Sequence, residues 1–236
     1  MLYYIGFAKA SRAHFVKVEH RDNENLQRQS HVHYLCFTPD EKYLCAVDLG
    51  LDCVIGYTFS FDNHQIAFKK AFQTDVPIST GPRHMCFSKN KKMAFVCGEL
   101  NSKIIVMEYL EESGFHIIQT LSSTAKERKE RNYPSAIKLS ADGRFLYVAN
   151  RGNDTIAVFQ VDNSTGFLSL IQEIGCGGKF PRDFSFDLTE EYLAVANQHS
   201  DNVVFFRRNK DNGLLRRYDM MENVETPTCV LFYEMK

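Results

Sequence analysis

Three arginines, one glutamate and one histidine stand at corresponding places along the sequence, and together they could act on a negatively charged molecule. They are His33, Arg83, Glu99, Arg151 and Arg182. A guanidinium group binds phosphate or carboxylate oxygens through paired hydrogen bonds, and an imidazole or a carboxylate can move a proton. If these side chains meet, they favour proton transfer on an anionic substrate.

These residues fall in two columns of an internal repeat whose period is about fifty residues. The first column lies four residues before the Phe or Leu that ends an apolar stretch, and it contains His33, Arg83, Ser135, Arg182 and Thr228. The second column follows a later apolar stretch and contains Leu49, Glu99, Arg151 and Gln198. The rest of each repeat keeps to one template, so the variety in the two columns indicates a functional role.

The repeat unit itself predicts the fold. Each unit has short apolar stretches rich in Val, Ile, Phe and Tyr, separated by polar turns, and it lacks the apolar spacing of a helix. Four short strands at this period are typical of a β-propeller blade. The sequence therefore predicts an all-β chain that forms a single propeller domain over 1–236. The expected blades are about 31–75, 82–122, 134–175 and 181–220, and the expected terminal strands are 2–19 and 228–233.

Strand direction predicts that the two columns meet. The strands of a propeller blade run antiparallel from the central channel outward, so the innermost strand starts where the next strand ends. The side chains of both columns should therefore surround one mouth of the channel.

Composition narrows the class of protein. With 44% hydrophobic and 24% charged residues, the chain is typical of a soluble globular domain, and no apolar run approaches the roughly 20 residues of a membrane span. The seven cysteines include no Cys-x-x-Cys pair, which favours buried thiols in a reducing cytoplasm. A net charge of −1 argues against nucleic acid as a partner. We expect a cytoplasmic protein with no membrane and no nucleic-acid partner.

Several motifs resemble those of a known family. They are His31-Val-His33, the run at 37–44, Val-Asp-Leu-Gly at 47–50, Gly-Pro-Arg-His at 81–84, the run at 140–152, Gly-Gly-Lys-Phe-Pro-Arg-Asp-Phe at 177–184 and the run at 196–204. Over residues 20–233 the chain resembles the 6-phosphogluconolactonases of the seven-bladed propeller lactonase family, which also includes carboxy-muconate cyclases. The resemblance implies hydrolysis of 6-phosphoglucono-δ-lactone in the pentose phosphate pathway without a metal or organic cofactor. It also implies catalytic roles for His33, Arg83, Glu99 and Arg151.

The residue roles are hypotheses at this point. Either Glu99 or His33 would be the base that activates water, and the other would be the acid. Arg83 or Arg151 would hold the developing oxyanion.

Four further residues complete the predicted substrate site. Arg182 and Lys179 would bind the phosphate beside glycine amides, Gln198 would bind sugar hydroxyls, and His31 would also contribute. The His31-x-His33 pair has no carboxylate or cysteine at ligand spacing, so no metal is predicted. His84 should point to the opposite face of its strand from Arg83 and have a packing or hydrogen-bonding role.

Length leaves alternatives open. Seven blades would need roughly 340 residues, whereas 236 residues suffice for about five blade positions. The chain, which looks shortened at its N-terminal side, could close as a smaller ring with a composite blade. It could instead form an open arc whose exposed terminal blades favour a homodimer. Alternative functions are a binding propeller without turnover, another sugar lactonase, or a muconate-lactonising cyclase.

Overall fold

The computed structural model describes residues 29–62, 65–125 and 131–234, and these residues form four antiparallel sheets of four strands each. Blade 1 contains β1 (Val32–Phe37), β2 (Leu44–Asp48), β3 (Cys53–Asp62) and β4 (Gln65–Asp75). Blade 2 contains β5 (Pro82–Phe87), β6 (Met93–Gly98), β7 (Lys103–Tyr109) and β8 (Phe115–Ser122), with a 3₁₀ turn at Glu111–Ser113. Within the described ranges, no helix has the length and apolarity needed to cross a bilayer.

Blades 3 and 4 repeat the same order. Blade 3 contains β9 (Tyr133–Leu139), β10 (Phe145–Arg151), β11 (Thr155–Val161) and β12 (Leu168–Gly175). Blade 4 contains β13 (Pro181–Phe186), β14 (Tyr192–Asn197), β15 (Asn202–Arg208) and β16 (Leu215–Asn223). Adjacent innermost strands contact each other in the series β1, β5, β9 and β13. The prediction of an all-β propeller of four-stranded antiparallel blades is confirmed.

Apolar layers between neighbouring blades hold the arc together. Because side chains alternate along a strand, each innermost strand turns one set of residues toward the preceding blade. Met85 and Phe87 of β5 lie in the cluster shared with blade 1, and Phe184 and Phe186 of β13 lie in the cluster shared with blade 3. Burial of each of these large side chains stabilises its interface by about 2 kcal/mol.

The strand predicted at 228–233 is not formed in the structure. Residues 224–234 have no regular secondary structure, although Val230 and Phe232 pack against Val203 and Phe205 of blade 4. The Val230 backbone N–H donates to the Asp183 carboxylate at 3.0 Å. In a strand, this N–H would donate to a backbone carbonyl of the neighbouring strand. The other predicted terminal strand, 2–19, lies outside the described residues.

Turn aspartates of blades 1, 3 and 4 fasten each of these blades to the segment of chain that follows it. Asp52, Asp154 and Asp201 all adopt left-handed backbone conformations, with φ between 50° and 54°, which Asp tolerates better than most residues. The Asp52 carboxylate accepts hydrogen bonds from the backbone N–H groups of Ser79 (2.9 Å) and Gly81 (2.7 Å). Asp154 and Asp201 accept equivalent bonds in blades 3 and 4. The polar residues of the second turn are therefore structural fasteners.

Replacing Asp52 with alanine is expected to lower the free energy of unfolding by about 2–4 kcal/mol, because two backbone donors lose a charged acceptor. Urea unfolding followed by circular dichroism measures this change. Glu112→Ala, at an exposed position of the 3₁₀ turn, is the matched control and should change stability by less than about 0.5 kcal/mol. Equal stability of the two variants would contradict the fastening role.

Candidate functional site

The strand pairing brings the two columns together at one mouth of the arc. The residue before each described member of the first column pairs with the last or next-to-last residue of the second strand: Val32 with Asp48, Pro82 with Gly98, Pro134 with Asn150 and Pro181 with Asn197. The two columns begin within a residue or two of these pairs. The arrangement follows directly from antiparallel pairing.

A β-bulge lies at this place in every described blade. In blades 1, 2 and 4 the extra residue of the innermost strand is His33, Arg83 or Arg182, because the register shifts between the residues on either side. In blade 3 the same shift falls opposite Ala149, where Ser135 and Ala136 share one partner position. A bulge redirects a side chain away from the regular alternation. The first column is therefore a column of bulge residues.

Glu99 joins two arginines from adjacent blades. Its Oε2 atom lies 2.9 Å from Nε of Arg83 and 2.8 Å from Nη2 of Arg151. The contact with Arg83 is an ion pair without the straight N–H geometry of a hydrogen bond. The Glu99 side chain is 20% exposed, whereas those of Arg83 and Arg151 are 3% and 4% exposed. The carboxylate therefore faces the mouth, and the two guanidinium groups lie behind it.

The two arginines are held by further contacts on their buried sides. Nη1 of Arg83 donates to the Ser135 carbonyl and lies 3.1 Å from Nε2 of His84. Burial lowers the pKa of Arg83 to about 10, which still leaves it charged at neutral pH. Nε of Arg151 donates to the Tyr133 carbonyl at 3.0 Å. Both guanidinium groups are thus fixed before any substrate binds.

His33 is a half-buried imidazole at the same mouth. Burial, followed by the nearby Arg83 charge, lowers its pKa from 6.5 to about 4. Its Nδ1 atom is buried and has no hydrogen-bond partner in another residue within the described parts of the chain. The ring is therefore neutral at neutral pH and able to accept a proton.

His84 lies inside this group of residues, which strand alternation alone does not predict. Its ring stacks on Tyr34 with a centroid distance of 4.7 Å, and its centroid is 5.3 Å from that of His33. Burial and the Arg83 charge hold the pKa of His84 far below its usual range. A neutral His84 can accept an N–H from Arg83. The bulge at Arg83 explains the difference, because it rotates neighbouring side chains toward each other.

The predicted substrate-binding residues are more exposed. Arg182 is partly exposed, and its pKa is lowered first by burial and then by the Arg151 charge. Lys179 and His31 are exposed, and Gln198 is partly buried with its Oε1 atom lacking a partner among the described residues. Among these four, Arg182 is the residue whose charge acts on both His33 and Arg83. Arg182 is therefore the member of this set that belongs to the central cluster.

The loop before β13 differs in one respect from the expected phosphate cradle. The backbone N–H of Lys179 donates to Ser200 Oγ at 2.8 Å, and that of Phe180 donates to Asp154 Oδ1 at 2.8 Å. Two of the loop amides are therefore engaged inside the protein. An anion at this loop would meet the side chains of Lys179 and Arg182 instead of those amides.

Phe180 and His199 are site residues that the sequence reasoning did not select. The Phe180 ring lies beneath Arg151, with Cζ 5.1 Å from its centroid, and stacks on His199 at 3.9 Å. In the sequence, only their positions point to the site. Phe180 lies two residues before Arg182 of the first column, and His199 directly follows Gln198 of the second column. The alternation of side chains along a strand does not predict that either ring turns toward Arg151.

A cavity of about 520 Å³ lies apart from the mouth. It is lined by Arg144, Phe145, Gln160, Ile171, Asp211 and Leu214. These residues lie where β10 begins, whereas Arg151 lies where β10 ends.

In the described part of the chain, no three His, Cys, Asp or Glu side chains come together as a metal-binding group.

A family model and a curated relative match almost the whole chain. The model described as lactonase, 7-bladed β-propeller, matches residues 7–232. The 6-phosphogluconolactonase of Bacillus subtilis is 38% identical over 207 residues, which are 87% of this chain and 58% of that protein. The chain thus spans less than three fifths of the length of this relative.

Solved structures give the same result. A protein from Lactobacillus plantarum aligns with a TM-score of 0.78 and 37% identity, over 84% of this chain and 57% of that one. The periplasmic gluconolactonase of Pseudomonas aeruginosa aligns with a TM-score of 0.80 and 31% identity, over 85% of this chain and 56% of that one. The resemblance inferred from the motifs is confirmed.

Proposed function

Because the chain belongs to the seven-bladed β-propeller lactonase family, we propose that it hydrolyses 6-phosphoglucono-δ-lactone to 6-phosphogluconate, a step of the pentose phosphate pathway. One observation carries the proposal: Glu99 joins Arg83 and Arg151 beside a neutral His33 at one mouth of the arc. The name of the Bacillus relative supports the choice of substrate.

The proposed reaction begins with His33. Its neutral imidazole takes a proton from water as the water oxygen attacks the lactone carbonyl, which forms a tetrahedral oxyanion. When that intermediate collapses, the bond between the carbonyl carbon and the ring oxygen breaks, and the imidazolium returns the proton to the ring oxygen. The products are a free hydroxyl and a carboxylic acid, which releases the second proton of water to solvent and becomes a carboxylate, so water is the only co-reactant.

The cations at the mouth stabilise the charge that develops. Arg83, Arg151 and Arg182 supply three guanidinium groups against the single carboxylate of Glu99. Because Arg83 and Arg151 are nearly buried, their field acts on the oxyanion from behind Glu99, in surroundings where water screens it weakly. Glu99 fixes both groups, and its exposed side accepts a hydrogen bond from a substrate hydroxyl.

Arg182 and Lys179 are proposed to bind the phosphate, because Arg182 is a partly exposed cation that interacts by charge with Arg151 and Glu99, and Lys179 is an exposed cation three residues before it. Gln198 and His31 are proposed to contact sugar hydroxyls. Gln198 suits this role because its buried Oε1 atom lacks a protein partner among the described residues. A hydroxyl of the substrate would supply that missing donor.

The test is a coupled assay with freshly generated 6-phosphoglucono-δ-lactone, in which the rate with the purified chain is compared with the spontaneous rate. Acceleration that is retained in Glu111→Gln and lost in Glu99→Gln supports the proposal. Glu111 pairs with Lys42 at an exposed site, so the control makes the same chemical change away from the mouth. A folded chain that gives only the spontaneous rate overturns the proposal and favours a binding propeller.

Substrate choice has its own prediction. Replacing Arg182 with alanine is expected to lower kcat/KM for the phosphorylated lactone by about 10–100-fold, because a charge-assisted contact with phosphate is lost. The value for unphosphorylated glucono-δ-lactone should change by less than about threefold. Parallel assays of both lactones measure the ratio. An equal loss with both substrates would favour a general gluconolactonase, the activity that the Pseudomonas relative is named for.

We also propose that a second copy of the chain covers the face of blade 1 that has no neighbouring blade among the described residues. Leu35 and Phe37 are 56% and 53% exposed there, whereas their repeat equivalents in blade 4, Phe184 and Phe186, pack against blade 3. Light scattering should give twice the chain mass of 27.2 kDa, and Leu35→Asp should give a monomer. Leu188→Asp changes another exposed leucine and should leave the dimer intact; a monomeric unmodified chain would refute the proposal.

A cytoplasmic location is proposed from the cysteines. Six of the seven are buried or partly buried, a placement that suits reduced cysteines in a reducing compartment. Fractionation of the producing cells tests the location, and recovery outside the cytoplasm would contradict it.

A further inference from the structure

Phe180 lies between a buried guanidinium and an exposed imidazole. Arg151 Cζ is 5.1 Å from the centroid of the Phe180 ring, and the His199 ring stacks on Phe180 at 3.9 Å with 12° between the planes. A parallel ring at this distance covers one face of Phe180, so the guanidinium lies over the other. The Phe180 ring therefore separates the Arg151 guanidinium from the side on which His199 is exposed.

The backbone of Phe180 is held in an unusual conformation to make this contact. Its φ of 63° lies in the left-handed region, which costs energy for a bulky residue other than glycine. The Phe180 N–H donates to the Asp154 carboxylate at 2.8 Å, and the Phe180 carbonyl accepts the N–H of Gln198 at 3.0 Å. The turn alone would be better served by glycine, so the ring is the feature that explains phenylalanine at this position.

The ring can fix the orientation of Arg151. One edge of the guanidinium is already bound, by Nη2 to Glu99 at 2.8 Å and by Nε to the Tyr133 carbonyl at 3.0 Å. A flat aromatic face over the guanidinium restrains its tilt and keeps water from that face of the group. Arg151 in turn shares the Glu99 carboxylate with Arg83, so the tilt of one group affects all three.

We propose that Phe180 is a positioning residue for Arg151, and through Arg151 for Glu99, and that His199 holds the Phe180 ring in place. The inference rests on the proposed lactone hydrolysis. Because Phe180 acts on groups that stabilise the transition state, its loss should lower kcat with little change in KM.

The kinetic test compares Phe180→Leu with Phe180→Tyr. The leucine variant, which keeps an apolar side chain but has no aromatic face, is expected to show about tenfold lower kcat and a KM within about twofold. The tyrosine variant keeps the ring and should retain more than about half of the activity. His199→Ala should lower kcat by about two- to threefold, because the Phe180 ring loses its support. An unchanged kcat in Phe180→Leu, or an equal loss in Phe180→Tyr, would overturn the proposal.

A second measurement does not depend on turnover. The Arg151 guanidinium lies over the Phe180 ring, with Cζ 5.1 Å from the ring centroid, so the ring current should displace the NMR signal of the proton on Nε. That signal should disappear in Arg151→Lys. In Phe180→Leu the displacement is expected to be lost, while Phe180→Tyr should keep it. If the unmodified chain shows no lactonase activity, the proposed function fails, and the NMR signal alone decides the positioning role. An Arg151 signal that is the same in the unmodified chain and in Phe180→Leu refutes the positioning role. If Phe180→Leu does not fold, His199→Ala is measured instead, and an unshifted Arg151 signal in that variant refutes the role.

Discussion

Replacing Glu99 with glutamine is expected to lower kcat by about 10²–10³-fold, with KM changed by less than about threefold. The substitution keeps the shape of the side chain and removes the single negative charge between two arginines that are 3% and 4% exposed. Arg83 and Arg151 would then be neighbouring buried cations without a counter-charge, which should drive them apart. The coupled lactone assay measures kcat and KM after subtraction of the spontaneous rate.

Stability must be measured on the same variant, because removal of one partner from a buried ion pair is itself destabilising. The unfolding curve of Glu99→Gln should still show a cooperative transition above the assay temperature. Glu111→Gln should match the unmodified chain in both kcat and stability, since its partner Lys42 is exposed. A folded Glu99→Gln variant with unchanged kcat would remove Glu99 from the proposed mechanism.

Replacing His33 with asparagine is expected to lower kcat by about 10²–10⁴-fold, the usual contribution of a general base. The pH profile supplies the sharper test. Burial and the Arg83 charge lower the pKa of His33 to about 4, so the neutral, proton-accepting form dominates above that pH. The rate should be level between about pH 5 and 7 and should fall about tenfold per pH unit below 4.

The acid limb must be separated from acid unfolding and from other titrating groups. The charged groups that act on His33 are Arg83, Glu99 and Arg182, and His84 lies beside it with a still lower pKa. Circular dichroism over the same pH range shows whether the chain remains folded. His116→Asn is the matched control, because His116 is exposed on β8, the outermost strand of blade 2. An acid limb centred near 6.5 would indicate a solvent-exposed base and contradict the role of His33.

The sequence was sufficient for the fold class and for the place of the site. A period of about fifty residues with four apolar stretches specifies a blade, and antiparallel pairing then requires the start of one strand to lie beside the end of the next. His33, Arg83, Glu99, Arg151 and Arg182 could therefore be assigned to one mouth before any contact was known. The motifs around them were also sufficient to indicate the lactonase family. The predicted strand at 228–233 failed, because a strand needs a backbone partner and Val230 bonds to the Asp183 side chain.

The repeat does not specify which side chains touch, because that depends on atoms contributed by different blades. Glu99 bridges Arg83 of its own blade and Arg151 of the next one only because β5 and β9 pack together. The bulges that redirect the first column arise from a register shift, which leaves no signature in residue type. Burial, which lowers the pKa of His33, is a property of the packed blades. The sequence therefore determined which chemical groups surround the mouth. The tertiary structure alone decided how these groups pair, which of them are charged, and that the Phe180 ring lies over Arg151. All three depend on distances between residues that are far apart in the chain.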